Sequence, residues 1–264
     1  MGRNSFLTEA QVTDCFAEFY SSRPLVIAHR GARDVAPENT LAAFRAALEA
    51  DADGIELDVS RCLSGEIVVL HDDRLDRTTN GSGPLDKTPF FRLRELDAGA
   101  WFAPQFAGER VPLLSEVFDL VGGKLRINIE IKGMDRHGDG IEAEIAEMVL
   151  TRGLPSSVVI SSFNPWALWR MKRAAPELQR ALLYALDMPL ALGKAWPRHL
   201  LEPVTLHPEW RILSAAYVRR AHAAGHHVNV WTVNDEADLR QVIAWGVDGI
   251  ITDHPALARG LLPR

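Results

Sequence analysis

"LVIAHRGARDVAPENTLAAF", residues 25–44, joins a short apolar run to a helical pattern through a polar turn. Leu25–His29 has the β-branched, apolar character of a buried strand. From Asn39 the pattern "NTLAAFRAALEA" reads as a helix, with Asn39 or Thr40 able to cap its first turn. The stretch is therefore one strand–helix unit, and its strand delivers His29 and Arg30 to the turn between them.

The same unit recurs along the chain. Further strands are expected in "GIELDV" (54–59), "EIVVLH" (66–71), "LRINIEIK" (125–132), "SVVISSF" (157–163), "ALLYAL" (181–186), "PVTLHP" (203–208), "HVNVWTV" (227–233) and "DGIITD" (248–253). Helical patterns lie between most of them, among them "DGIEAEIAEMVLTRG" and "DEADLRQVIAWG". Alternation of this kind implies parallel βα units. With 264 residues, one α/β domain of the TIM-type (β/α)8 barrel class accommodates the whole pattern. Nine candidate strands compete for eight places, so one is misassigned or lies outside the barrel. Residues 72–111 are too long for an ordinary βα loop and are read as a small inserted subdomain after the third strand. Residues 1–24 are read as a helical extension before a barrel of 25–264.

Composition narrows the function. An apolar fraction of 47% with 24% charged residues suits a soluble globular protein. The net charge of -6 argues against general nucleic-acid binding, which needs a basic stripe. Two cysteines, Cys15 and Cys62, form neither a zinc pattern nor a disulfide framework. No secretory leader or membrane-length apolar run is evident, so a cytoplasmic protein without a stable membrane anchor is expected. Oligomeric state leaves no mark in the sequence.

Parity within the strands then selects the chemistry. Side chains two apart share a face, so Glu56 and Asp58 look one way while Ile55, Leu57 and Val59 look the other. In "RINIEIK" the same rule sets Asn128, Glu130 and Lys132 against Ile127, Ile129 and Ile131. His29, Asp58, His71, Glu130 and Lys132 all lie toward strand C-termini, where barrels open their sites. Alone, a Glu-x-Asp pair is more often a solvated face or a salt-bridged pair, and a single histidine more often a hydrogen-bonded loop residue. Together, three convergent carboxylates would repel one another without a cation. Oxygen donors without thiolates favour Mg²⁺ or Ca²⁺ over zinc.

The ordered set "AHRG", "PENT", "GIELDV", "VVLHD", "RTTNGSG", "LDAGAWF", "NIEIK", "VNVWTVN" and "GVDGIITD" resembles the glycerophosphodiester phosphodiesterase family over residues 25–255. The resemblance implies a barrel with an insert after "VVLHD", a small-molecule phosphodiester as partner, and one divalent cation. It implies His29 and His71 as the acid–base pair, and Glu56, Asp58 and Glu130 as metal ligands. Arg30 and Lys132 are then the phosphate cations, and Trp231 an aromatic at the glycerol end of the pocket. His207, at a strand end in "VTLHP", is a further pocket-lining candidate. Many relatives carry histidine or another polar side chain after "ELDV", where this chain has Ser60.

The implied reaction is hydrolysis of glycerophosphocholine, glycerophosphoethanolamine or similar diesters to sn-glycerol 3-phosphate and an alcohol. The attacking oxygen is either water or the substrate's own 2-hydroxyl, and either histidine is eligible as the acid. Cleavage of lysophospholipids is the nearest alternative, with the apolar segment 187–201 as a candidate to flank an acyl chain. A noncatalytic phosphodiester-binding domain would be expected to have lost a histidine or a metal carboxylate, and none is missing.

Overall fold

Eight short strands, each apolar enough to be covered on its outer face by helices, close into a ring. In the computed structural model, which describes residues 18–20, 24–188, 195, 201 and 205–262, they are β1 (Leu25–His29), β2 (Gly54–Arg61), β4 (Arg126–Ile131), β5 (Val158–Ser162), β6 (Gln179–Tyr184), β7 (Thr205–Pro208), β8 (His227–Val230) and β9 (Gly249–Thr252). All pair in parallel, and β1 bonds to both β2 and β9, which closes the barrel. Around them run α1 (Leu41–Glu49), α3 (Leu114–Val121), α4 (Ile141–Thr151), α5 (Pro165–Ala174), α6 (Ala215–Ala223), α7 (Glu236–Trp245) and α8 (Pro255–Leu261); the shorter α2 (Phe90–Leu93) belongs to the insert.

The ninth candidate strand is β3 (Ile67–Val69), which lies outside the ring. It pairs antiparallel with the overhanging end of β2, Val59 opposite Val69 and Arg61 opposite Ile67. The sequence cannot distinguish this hairpin arm from a barrel strand, because both are short β-branched runs. The insert follows β3 and folds over a small core of its own. Cys62, Val68, Leu70, Leu75, Leu85, Leu93, Ala98 and Val111 are buried there together.

Strand parity divides the molecule into an outer apolar layer and a polar interior. Ile55, Leu57 and Val59 of β2, with Ile127, Ile129 and Ile131 of β4, pack against Phe44, Leu114, Val117, Phe118, Ile145 and Val149 of the surrounding helices. Thr40 caps α1 through its side-chain oxygen, which accepts from the Ala43 N–H. The chain preceding β1 reaches the opposite end of the barrel from the catalytic candidates. Phe19 and Tyr20 are buried there against Leu25, Ile27, Val159 and Ala181. Most of the 1–24 segment and of 187–201 lies outside the described residues. Among the described residues no helix is long and apolar enough to cross a membrane.

Candidate active site

The turn after β1 brings the first groups together. Arg30 and Gly31 both adopt positive φ, 56° and 85°. A Cβ on Gly31 would stand 2.6 Å from the Cβ of Ala43 in α1, so only glycine allows this close approach. The left-handed Arg30 presents its backbone N–H to Glu56 Oε2 at 3.0 Å. Its guanidinium lies between Asp58 Oδ2 at 3.3 Å and Glu38 Oε1 at 2.7 Å. A non-glycine residue in this region is costly, and two of them here, Arg30 and Asn39, mark a turn fixed by its surroundings. Asn39 donates to Asp58 Oδ2 at 2.9 Å and so holds the second carboxylate of β2.

Register does the rest. β2 and β4 align Glu56 with Asn128 and Asp58 with Glu130, and one oxygen from each of Glu56, Asp58 and Glu130 lies within 4.8 Å of the others. Lys132 Nζ stands 2.9 Å from Glu130 Oε1 and 3.3 Å from Asp58 Oδ1. Burial, and then the charges of Asp58 and Glu130, push the Glu56 carboxyl well above its usual range. Burial and Asp58 likewise raise Glu130 to about 7. Asp58 goes the other way, because Arg30 and Lys132 outweigh its burial. Asp58 Oδ1 is buried without a hydrogen bond. Three all-oxygen donors short of positive charge, one with a buried oxygen that no hydrogen bond satisfies, fit a hard divalent cation.

Each of the two histidines is tied through Nδ1 to a carboxylate. His29 Nδ1 stands 2.6 Å from Asp253 Oδ1, and Asn234 donates to the other oxygen of Asp253 at 2.8 Å. His71 Nδ1 stands 2.6 Å from Asp72 Oδ1. Burial lowers the affinity of both rings for a second proton, opposed at His29 chiefly by Asp253 and at His71 by Asp58 and Asp72. His71 does not end a barrel strand, as the sequence suggested. It follows β3, which runs back toward the barrel, and Leu70 N–H donates to Asp58 O at 3.1 Å, fixing His71 beside the carboxylates.

His29, Arg30, Glu56, His71, Glu130 and Lys132 line a cavity of about 200 Å³, whose wall is completed by Phe163, Leu183 and Trp231. Trp231 meets Phe163 edge to face at 5.4 Å and donates its indole N–H to the His207 carbonyl at 2.7 Å. The His207 imidazole itself is not among the lining groups. It is fully buried within the barrel, accepts from Asn229 at 3.1 Å, and burial lowers it to about 3. Its contact with the wall is the backbone carbonyl that holds Trp231.

Four supporting residues were not singled out by sequence reasoning. Asp253 ends "GIITD" and Asp72 adjoins His71, so both sat in plain view at strand ends. Glu38 lies within "PENT", where capping drew attention to its neighbours instead. Arg77 opens the quoted "RTTNGSG", yet that motif assigned it no role, and its contact with Glu38 spans 39 residues.

The chain as a whole has counterparts among known proteins. The sequence profile of the glycerophosphoryl diester phosphodiesterase family matches residues 29–257. The chain belongs to that family. It is accordingly an enzyme, a glycerophosphodiester phosphodiesterase, and its barrel is the family's. It is 42% identical over 235 residues to the glycerophosphodiester phosphodiesterase of Caldanaerobacter subterraneus subsp. tengcongensis, covering 88% of this chain and 95% of that one. Among solved structures it resembles an Oleispira antarctica phosphodiesterase in complex with the product sn-glycerol-3-phosphate, at 32% identity and a TM-score of 0.81, over 92% of this chain and 98% of that one. It also resembles the Agrobacterium tumefaciens glycerophosphodiester phosphodiesterase, at 31% identity and a TM-score of 0.78, over 89% and 99% of the two chains. In the present phosphodiesterase a wider cleft of about 870 Å³ continues from His71 and Lys132 past Met134, Phe163 and Met188.

Proposed function

We propose that this phosphodiesterase hydrolyses small deacylated glycerophosphodiesters, such as glycerophosphocholine or glycerophosphoethanolamine, to sn-glycerol 3-phosphate and an alcohol. The observation that carries the reading is the pair of histidines on one cavity, each with Nδ1 fixed by a carboxylate at 2.6 Å. A ring that donates from Nδ1 to a carboxylate has Nε2 left to take or give a proton. One imidazole thus removes the proton of the attacking oxygen, whether of water or of the substrate's 2-hydroxyl. The other gives a proton to the departing alkoxide. Negative charge on the bound phosphodiester raises whichever imidazole must arrive protonated, offsetting the effect of burial.

Arg30 and Lys132 are the phosphate clamp. Arginine's planar fork suits two oxygens, and the ammonium of lysine supplies a point charge. A divalent cation, Mg²⁺ or Ca²⁺, would be held by Glu56, Asp58 and Glu130 and would offset the charge that grows on the non-bridging oxygens. The cavity of about 200 Å³, walled by Trp231 and Phe163, supports binding of the glycerol phosphate half of the substrate there. The product named for the Oleispira antarctica relative supports the same assignment.

A second reading, cleavage of lysophospholipids, draws on the apolar Met134, Phe163 and Met188 in the wider cleft. One assay separates the two. Glycerol 3-phosphate release from glycerophosphocholine, abolished by chelator and restored by Mg²⁺ or Ca²⁺, is the expected result. Release of lysophosphatidic acid from a lysophospholipid, with no turnover of the small diester, would overturn the first reading in favour of the second.

A further inference from the structure

Arg77 lies in the insert, outside the barrel strands, yet it touches the supports of both halves of the catalytic apparatus. Its Nε and Nη2 donate to the two oxygens of Asp72 at 2.6 and 2.9 Å. Its Nη1 and Nη2 donate to the two oxygens of Glu38 at 3.0 and 2.8 Å. Asp72 orients His71, and Glu38, only 2% exposed, holds Arg30. A planar guanidinium engaging two carboxylates at once fixes their relative position in a way that a single ammonium cannot. Glu38 also receives Arg33 at 3.3 Å, so it is the point where the turn after β1 and the insert are joined.

We infer that Arg77 is a positioning residue of the phosphodiesterase, setting His71 through Asp72 and the phosphate arm Arg30 through Glu38. The inference rests on the roles proposed for His71 and Arg30. Its consequence is that the insert belongs to the catalytic machinery even though Arg77 is not among the groups lining the substrate cavity. The two arms act on different quantities. Disorder in His71 slows proton transfer, whereas disorder in Arg30 weakens hold on the phosphate.

The test is steady-state kinetics on glycerophosphocholine with Asp72→Asn, Glu38→Gln, Arg77→Met, Arg77→Lys and the double variant Arg77→Met/Asp72→Asn. Arg92→Met is the control, since Arg92 pairs with exposed Glu95 at 3.0 Å and lies over exposed Phe91 on the surface of the insert, away from the site. The expected pattern is a kcat loss of about 10- to 100-fold for Asp72→Asn, a fraction of what a general acid or base contributes. Glu38→Gln should mainly raise KM, and Arg77→Met should do both. The double variant should lose little more kcat than either single one, because one arm acts through the other. Arg77→Lys should recover only part of the rate, and millimolar guanidinium should partly rescue Arg77→Met. Wild-type kinetic constants in a folded Arg77→Met, or kcat losses that multiply in the double variant, would overturn the inference. A lowered melting temperature with unchanged kcat and KM would do the same, reducing Arg77 to an anchor for the insert. His71→Ala in the same assay keeps the two levels apart: if it retains turnover, the assigned role of His71 fails, and if it is inactive while Arg77→Met is normal, only the present inference fails.

Discussion

The two ends of the barrel both hold histidine–carboxylate pairs, and only one end has the makings of a catalyst. At the mouth, His29–Asp253 and His71–Asp72 each stand at 2.6 Å. At the opposite end His222 stands 2.6 Å from Asp248, with His227 at 3.2 Å from the same side chain. The hydrogen bond is therefore no signature of activity. At the far end one carboxylate gathers two imidazoles and the backbone N–H of Val228, and it serves packing. At the mouth each imidazole has its own carboxylate and faces a cavity shared with Arg30, Lys132 and acids that lack enough positive charge. What separates the two ends is the unbalanced charge and the space beside it.

Substitution should break the symmetry most sharply. His29→Ala and His71→Ala are each expected to lower kcat by about 10²- to 10⁴-fold, the range for loss of a general acid or base. His222→Ala should leave kcat and KM within error while lowering the melting temperature. Equal activity losses at the two ends, in folded variants, would end the distinction.

A smaller effect concerns the charge imbalance itself. Glu130 is raised from an ordinary glutamate value to about 7 by burial and Asp58. A carboxyl raised in the folded state binds its proton more tightly there than in the unfolded chain. Metal-free stability attributable to this group should therefore fall as pH rises from about 4.5 toward 7. Millimolar Mg²⁺ or Ca²⁺ should remove that decline, and Glu130→Gln should remove it without metal. Thermal melts across this range, with and without chelator, are the measurement.

The smallest effect is expected at the closed end. Tyr20 bonds Thr205 at 2.9 Å and receives Asn229 at 2.9 Å. Tyr20→Phe should cost about 1–3 kcal/mol of stability, because Thr205 and Asn229 are buried, with no change in kcat. A change in KM would show that the far end communicates with the mouth.

Much of this comparison could be read from the sequence, for reasons that differ by residue. Glu56, Asp58, Glu130 and Lys132 were legible because strand parity is rigid and the register of two parallel strands brings like parities together. The barrel was legible because strand and helix alternate with such regularity. Which of the nine candidates lies outside the ring was not legible, because a short β-branched run carries no information about which edge it pairs with. His207 shared the strand-end logic of the others, but its ring turns into the barrel and leaves only its carbonyl to the wall. Arg77 stood at the head of "RTTNGSG", but its role was not legible, for a further reason. Its partner Glu38 is 39 residues away, and no local period or motif encodes a contact of that kind.

The closure of the ring has one more consequence, for the order in which the enzyme comes into being. β1 completes its pairing only when β9 exists, and His29 is held by an aspartate 224 residues further along the chain. A chain emerging from the ribosome thus carries His29, proposed above as one of the acid–base pair, long before its partner Asp253 is made. On the role proposed for His29, competence waits for the last strand, and topology sets the order in which the parts of the site meet.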